Sequence, residues 1–128
     1  MKVLKIGFVC IPVTEMKRAR AFYEGVLGLQ VAEEMMEGDW VEYDLGGDTL
    51  SITTAAEGLW TPSDQGTCAA LEVEDFDAAI NKLKVAAVQF AVEPMETPVC
   101  HLAIVQDPDG NKLCIHKLKP KNEATQQG

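Results

Sequence analysis

Lysine and arginine are missing from almost half of the chain. Neither residue occurs from position 21 to position 81, whereas the same interval holds fourteen aspartate and glutamate residues. The whole chain of 128 residues carries a formal net charge of −9. Nucleic acids and anionic membrane surfaces bind clustered lysine and arginine, so we expect neither as a partner. The acidic interval is either a solubilising surface or a surface that attracts neutral or cationic ligands.

Closely spaced cysteine pairs and long apolar runs are also missing from the sequence. None of the four cysteines lies in a Cys-x-x-Cys pair, so the sequence has neither a zinc-ribbon nor a disulfide-scaffold pattern. No apolar run approaches the roughly 20 residues of a transmembrane helix, and the first apolar stretch is too short for a signal peptide. We therefore expect a cytoplasmic protein with reduced thiols.

One pattern occurs twice along the chain. Residues 107–111, between two short apolar runs, predict a β-hairpin, because Pro108 fixes one φ angle, Asp109 can bond its own backbone and Gly110 accepts positive φ. Residues 46–52 have the same shape as the segment that lies 63 residues later. Such an internal repeat predicts two modules of similar structure.

Hydrophobic periodicity predicts the same order of elements in each module, namely one strand, one helix and three strands. The modules extend over residues 5–58 and 67–118, within a single domain of residues 1–118 that is followed by a polar tail at 119–128. In the first module we expect a helix from an N-cap at Thr14 to Gly28, and strands at 5–13, 29–34, 40–45 and 49–53. In the second we expect a helix capped by Asp75, and strands at 67–73, 88–92, 99–105 and 113–118.

Two stretches resemble a known superfamily. Residues 13–29, with Val-Thr-Glu-Met, Ala-Phe-Tyr-Glu and Leu-Gly-Leu, are similar to the first-helix signature of the vicinal oxygen chelate superfamily. The sequence Asp-Pro-Asp-Gly-Asn at 107–111 is similar to its closing hairpin. The superfamily includes glyoxalase I, bleomycin-resistance proteins and extradiol dioxygenases. The resemblance implies an α+β fold of two βαβββ modules that form a curved mixed sheet around a central cavity, commonly completed in a homodimer.

The resemblance also implies where a metal ion would lie. Enzymes of the superfamily hold a divalent metal with His, Gln and Glu side chains at four repeated positions, which are here Phe8, Ser51, Cys68 and Cys114. Phenylalanine cannot coordinate a metal ion, and a neutral serine is a poor ligand. We therefore expect no metal and no cofactor, which argues against a metal-dependent lyase.

Side-chain alternation along the strands predicts which residues face the cavity. Val41, Tyr43, Leu50 and Ile52 are expected to pack against a helix, and so are Leu102 and Ile104, which leaves His101, Ala103 and Val105 toward the cavity. The predicted cavity wall consists of Phe8, Cys10, Trp40, Glu42, Ser51, Thr53, Cys68, His101, Cys114 and His116.

Several wall residues also have a simpler interpretation. Cys68 and Cys114 are of a type that is often buried as a small apolar side chain, although with His116 they could bind zinc or copper. A single uncoupled imidazole is weak evidence for a catalytic base. Trp40 is either a residue of the hydrophobic core or part of an aromatic wall of the cavity. Glu42 is either a solvated residue at the rim of the cavity or the partner of a ligand cation. No catalytic residue is assigned.

Two classes of function follow from these observations. The first is metal-free binding of a small apolar or cationic molecule in the cavity, as in the bleomycin-resistance branch. The second is a glyoxalase-like lyase or dioxygenase-like enzyme with a rearranged site, acting on a thioester, a hemithioacetal or a catechol-like substrate. The absence of lysine and arginine from residues 21 to 81 argues against the anionic glutathione adduct that glyoxalase I converts.

Overall fold

The computed structural model describes residues 1–121. The chain divides into two compact units, which separate between Pro62 and Ser63 and are called module one and module two below. Most of the predicted polar tail, from residue 122 onward, lies outside the described residues. No helix of the described chain is long and apolar enough to cross a membrane.

Module one contains one four-stranded sheet and one helical segment. The sheet has the order β1-β4-β3-β2, with β1 parallel to β4 and the other neighbours antiparallel. The strands are β1 (Val9–Pro12), β2 (Gln30–Met35), β3 (Trp40–Asp44) and β4 (Thr49–Thr53). Helix α1 (Met16–Arg20) continues as a π-helical segment (Ala21–Val26), and a short 3-10 turn (Met36–Gly38) precedes β3.

Module two repeats this arrangement. Its sheet has the order β5-β8-β7-β6, with β5 parallel to β8 and the other neighbours antiparallel. The elements are β5 (Ala69–Glu72), α2 (Phe76–Val85), β6 (Phe90–Glu96), β7 (Cys100–Gln106) and β8 (Lys112–Leu118). The predicted α+β fold of two modules with one strand, one helix and three strands each is therefore confirmed.

The two helices begin differently. Asp75 caps α2 as predicted, because its side chain accepts a hydrogen bond of 3.0 Å from the backbone N–H of Ala78. The predicted N-cap at Thr14 is wrong, since α1 has Glu15 at that position without a side-chain capping bond. Thr14 instead accepts a hydrogen bond of 3.0 Å from Arg18, one helical turn later.

The hairpin between β7 and β8 forms where it was predicted, but a different aspartate organises it. Asp107 Oδ1 accepts hydrogen bonds of 2.9 Å from the backbone N–H groups of both Asp109 and Asn111. Gly110 has φ +87°, which a residue with a side chain rarely adopts. The turn is therefore an Asx-type turn built on Asp107 rather than on Asp109.

Two strands differ in length from their predictions. β1 begins at Val9 rather than at residue 5, so the segment 1–8 lies outside the sheet. β6 extends to Glu96 although it contains Pro94, and its pairing with β7 shifts register twice. β6 is the last strand of its sheet, where a proline removes no ladder hydrogen bond on the outer side.

A buried polar network fixes the helical segment of module one to its sheet. The rings of Tyr23 and Tyr43 stack at 6.2 Å, and both side chains are inaccessible to solvent. Tyr43 Oη donates a hydrogen bond of 2.8 Å to Glu24 Oε2, to which Arg20 Nε also donates at 2.6 Å. Burial alone would raise the pKa of Glu24, but the hydrogen bonds from Arg20 and Tyr43 outweigh it and lower that pKa.

The network yields a prediction for Tyr43→Phe. The substitution keeps the stacked ring but removes the donor to a charged carboxylate, so we expect the free energy of unfolding to fall by about 1.5 kcal/mol. Urea denaturation at neutral pH measures the loss. Because the pKa of Glu24 is lowered in the folded state, its contribution is present above the ordinary carboxyl range and is lost as the pH falls through the lowered pKa.

A double-mutant cycle with Glu24→Gln supplies the control. Tyr43→Phe removes the donor and Glu24→Gln removes the acceptor's charge from the same hydrogen bond, so their combined effect should be smaller than the sum of the single effects. Equal destabilisation by Tyr43→Phe in the presence and absence of Glu24 would contradict the assignment.

Candidate functional site

One face of the module-one sheet carries a row of three polar side chains. Cys10 on β1 pairs with Ser51 on β4, and Ser51 pairs with Glu42 on β3. Leu50 and Ile52 alternate with Ser51 and lie on the opposite face, where they are almost fully buried. Cys10, Ser51 and Glu42 are therefore direct neighbours across the three strands.

Two aromatic rings lie on this polar face. Phe8, one residue before β1, contacts Trp40 edge to face with 5.7 Å between the ring centroids. Trp40 Nε1 donates a hydrogen bond of 3.1 Å to Glu42 Oε2, so the indole is held against the carboxylate. We call these two rings together with Cys10, Glu42 and Ser51 the module-one site.

The charges on this face of the sheet are negative. Strand register places Asp44 on the same face as Glu42, and the bulge in β2 places Glu33 opposite Glu42. The strands of module one that the structure describes contain no lysine or arginine. The face therefore favours neutral or cationic ligands over anions.

Two of the three hydroxyl groups of β4 on this face, those of Ser51 and Thr53, differ in their hydrogen bonding. Thr53 and Ser51 are both inaccessible to solvent. Thr53 Oγ1 donates a hydrogen bond of 2.8 Å to the backbone carbonyl of Asp39 and accepts one of 2.9 Å from Ala55 N. Within residues 1–121, Ser51 Oγ is a buried side-chain oxygen without any hydrogen-bond partner. Sequence reasoning placed Ser51 on this face but gave no sign of the unmet hydrogen bond.

On the corresponding face of module two, an imidazole is paired with a carboxylate. His116 Nδ1 lies 2.5 Å from Glu72 Oε1, while the backbone N–H of Leu118 donates to Glu72 Oε2 at 2.7 Å. Burial alone would raise the pKa of Glu72, but the two hydrogen bonds outweigh it, so that the pKa is lowered. An ionised carboxylate only accepts hydrogen bonds, so Nδ1 carries the proton of this pair.

Cys114 shares the face of His116, since the two residues alternate with buried Ile115 on β8. Cys68 is exposed and Cys114 is half-buried, so neither is the fully buried apolar side chain considered above. Partial desolvation nevertheless raises the pKa of both thiols, so both stay protonated near neutral pH. Glu72 was missed in the sequence. Extending the alternation of Cys68 and Ala70 by two residues would have placed it on the same face.

The predicted orientation of β7 is wrong. Ala103 and Val105 pair with Ile115 and Leu113, and all four side chains are buried. His101 shares their face, and its ring lies 5.6 Å from that of Phe76 in α2. The structure therefore places His101 on the helix-covered face, away from Cys114 and His116. β7 is apolar on both faces, so alternation alone could not distinguish them.

The family comparison decides the identity of the fold. The family model "Glyoxalase/Bleomycin resistance protein/Dioxygenase superfamily" matches residues 5–115. This chain belongs to that superfamily. A comparison with curated proteins found no match.

Several solved structures have the same fold. TnmS3, an antibiotic-binding protein from Streptomyces sp. CB03234, superposes with a TM-score of 0.77 at 22% identity, covering 93% of this chain and 99% of its own. A glyoxalase/dioxygenase from Nostoc punctiforme gives 0.76 at 20% identity, with 94% and 99% covered. A lactoylglutathione lyase from Agrobacterium tumefaciens gives 0.70 at 16% identity, with 88% and 92% covered.

The residues at the superfamily's metal positions do not fit a divalent metal. Phe8 has no donor atom and Ser51 offers only a neutral hydroxyl, so these four positions supply at most two ligands, the thiols of Cys68 and Cys114, where the superfamily's enzymes supply four. Among residues 1–121, no group of three or more His, Cys, Asp and Glu side chains is arranged to hold a metal ion. The cluster of Cys68, Cys114 and His116, considered for zinc or copper, is thus not arranged as a metal site.

The module-one site predicts an unreactive Cys10. Burial and the negative charge of Glu42 raise the pKa of Cys10 to about 11, so its nucleophilic thiolate is scarce at pH 8 and increases only as the pH approaches that value. Iodoacetamide should therefore alkylate Cys10 at least about tenfold more slowly than the same cysteine in the urea-unfolded chain. Peptide mass spectrometry distinguishes the four cysteines.

Glu42→Gln is the matched variant for this test. It removes one of the two causes of the raised pKa, so alkylation of Cys10 at pH 8 should become faster. Alkylation of Cys10 in the folded protein at the rate of the unfolded chain would contradict the prediction.

Proposed function

We propose that the module-one site binds a small aromatic molecule, uncharged or cationic, without a metal ion. The observation that carries this proposal is the contact of Phe8 with Trp40 beside the Glu42 carboxylate, on a face whose other charges are acidic. Aromatic rings bind ligands through apolar burial, at about 25 cal/mol per Å² before the costs of association. The carboxylate then selects the sign of charge that the ligand carries.

Two further findings support a binding function. One of the structurally similar proteins, TnmS3, is described as an antibiotic-binding protein. The residues at the superfamily's metal positions are an apolar ring, a hydroxyl and two thiols, so this chain lacks the His, Gln and Glu ligands of the superfamily's metal-dependent enzymes. Small-molecule sites of this kind are mostly apolar with a few polar groups that orient the ligand.

A matched pair of probes tests the proposal. Acridine is neutral at pH 7.5, whereas 9-aminoacridine has nearly the same shape and is a cation. We expect Trp40→Ala to weaken the binding of both probes about tenfold, since it removes shared aromatic contact. Glu42→Gln should weaken only 9-aminoacridine, by about fivefold, and added salt should reduce the difference between the probes. Isothermal titration calorimetry on chelator-treated protein measures the affinity of each probe for the unmodified protein and for both variants.

Trp60→Ala is the control for the loss of an indole, because Trp60 is exposed and lies outside the strands of module one. It should leave both affinities unchanged. Binding that requires added metal, or equal effects of Glu42→Gln on the two probes, would contradict the proposal.

We further propose that the protein is a cytoplasmic homodimer. Each sheet ends in strands with only one neighbour, and a two-fold dimer is the commonest way in which soluble chains cover such edges. All four cysteines are unpaired, which suits a reducing compartment. Sedimentation equilibrium should give twice the chain mass of 13.9 kDa, and a monomer at high micromolar concentration would contradict the dimer.

A second candidate function is proton transfer by His116, as in a glyoxalase-like enzyme with a rearranged site. The observation that favours it is the 2.5 Å contact of Nδ1 with Glu72, which orients the ring and leaves Nε2 as the nitrogen that could exchange a proton with a substrate. Because the acidic face disfavours the anionic glutathione adduct, isomerisation of the uncharged hemithioacetal of methylglyoxal and 2-mercaptoethanol to its thioester, measured without added metal, is a suitable assay. His116→Gln should then lower the rate about a hundredfold or more.

The other histidine provides the matched control. His101 packs against Phe76 on the opposite face, so His101→Gln should preserve most of the activity. No conversion by the unmodified protein, or equal loss in both variants, would contradict this second candidate.

A further inference from the structure

One buried hydroxyl group of module one, that of Ser51, is unusual in its hydrogen bonding. Its side chain is inaccessible to solvent, and Ser51 Oγ has no hydrogen-bond partner in the part of the chain that the structure describes. Buried polar atoms in folded proteins are nearly always paired, because an unpaired one loses its hydrogen bonds to water without replacement. The exceptions call for a physical reason, and a bound ligand is one such reason.

The neighbours of Ser51 form a small polar subsite. Cys10 and Glu42 flank it on the two adjacent strands and on the same face. The thiol of Cys10 stays neutral near pH 7, because burial and Glu42 raise its pKa. The subsite therefore combines one anionic acceptor, one hydroxyl and one thiol. An N–H group that carries positive charge would satisfy both the carboxylate and the hydroxyl.

The two rings close the face above this subsite. Phe8 precedes Val9, which pairs with Leu50, whereas Trp40 pairs with Thr53 near the other end of β4. The two residues thus start about four positions, or roughly 13 Å, apart along the strand direction. Their ring centroids are nevertheless only 5.7 Å apart. The indole of Trp40 leans toward the level of Ser51, because it donates to Glu42, which pairs with Ser51, and Phe8 contacts the indole on this side.

The rings of Trp40 and Phe8 differ in how many contacts hold them in place. Trp40 belongs to β3, and its indole N–H donates to Glu42. Phe8 belongs to the segment 1–8, which lies outside the sheet, and its side chain is 50% exposed. Displacement of Phe8 breaks one edge-to-face ring contact and no strand pairing, so Phe8 is the ring that can move.

We propose that Cys10, Ser51 and Glu42 form an occluded subsite for an amino group attached to an aromatic ring, and that Phe8 is the gate over it. The inference rests on the proposed binding function and adds the ligand class and the entry route. The ligand's ring displaces Phe8 and takes its place against Trp40. Its amino group donates hydrogen bonds to Glu42 and to Ser51 Oγ, which supplies the partner that the hydroxyl lacks.

Two aromatic cations of similar size test the subsite. 9-Aminoacridine carries N–H donors, whereas 10-methylacridinium has the same charge without an N–H group. We expect the unmodified protein to prefer 9-aminoacridine, and Ser51→Ala to weaken its binding about fivefold while changing 10-methylacridinium less than about twofold. Calorimetric titration of each probe measures these affinities. Thr49→Ala removes a hydroxyl from the same strand and should change both affinities by the same factor.

The proposed role of Phe8 as a gate is tested by the rate of ligand association. In stopped-flow measurements, Phe8→Ala should raise the association rate constant of 9-aminoacridine, because no ring has to move before the ligand enters. In the absence of ligand, Ser51→Ala should be at least as stable to urea as the unmodified protein, because it removes an unpaired buried hydroxyl. A slower association for Phe8→Ala would overturn the gate, and a less stable Ser51→Ala would overturn the unpaired hydroxyl.

The outcomes separate this inference from the function on which it rests. Binding of both cations that depends on Trp40 and Glu42 but not on Ser51 would overturn the subsite and keep the proposed function. The absence of binding for both cations would overturn the proposed function and the subsite together.

Discussion

The pairing of β4 between β1 and β3 is the constraint on which module one depends. Leu50 and Ile52 of β4 are buried on the face that contains Val41 and Tyr43, and this burial fixes the register of the three strands. A shift of one residue would move both apolar side chains to the polar face and would place polar ones against the helical segment. Packing on the opposite face therefore determines which residues are the neighbours of Ser51. The core of module one in this way sets the geometry of the module-one site.

The fold could be predicted from the sequence because several local signals agree. Two turns of similar sequence, two helical patterns and the alternating strands indicate the same repeated module, and the observed strand orders are equivalent. The errors arose where one signal stood alone. β7 is apolar on both faces, so the side on which His101 lies depended on contacts with α2. Thr14 was assigned as a cap from its residue type alone, whereas the helix has Glu15 at the N-cap position.

The candidate site was predictable only in part. Alternation and the resemblance to the superfamily indicated Trp40, Glu42 and Ser51 as residues of one face, as the register shows. The contact of Phe8 with Trp40 and the pairing of His116 with Glu72 join residues distant in sequence. Neither follows from periodicity, because both depend on which strands become neighbours. The unpaired hydroxyl of Ser51 is likewise a property of packing and not of residue type.

Binding of an aromatic ligand at the module-one site without a metal ion can be observed directly in a crystal structure of the chelator-treated protein with 9-aminoacridine. We expect the acridine ring to lie against Trp40, Phe8 to be displaced from its present contact, and the amino group to lie within hydrogen-bond distance of Glu42 and Ser51. A probe bound away from Trp40, or a metal ion retained by Cys68 and Cys114 after chelation, would contradict it.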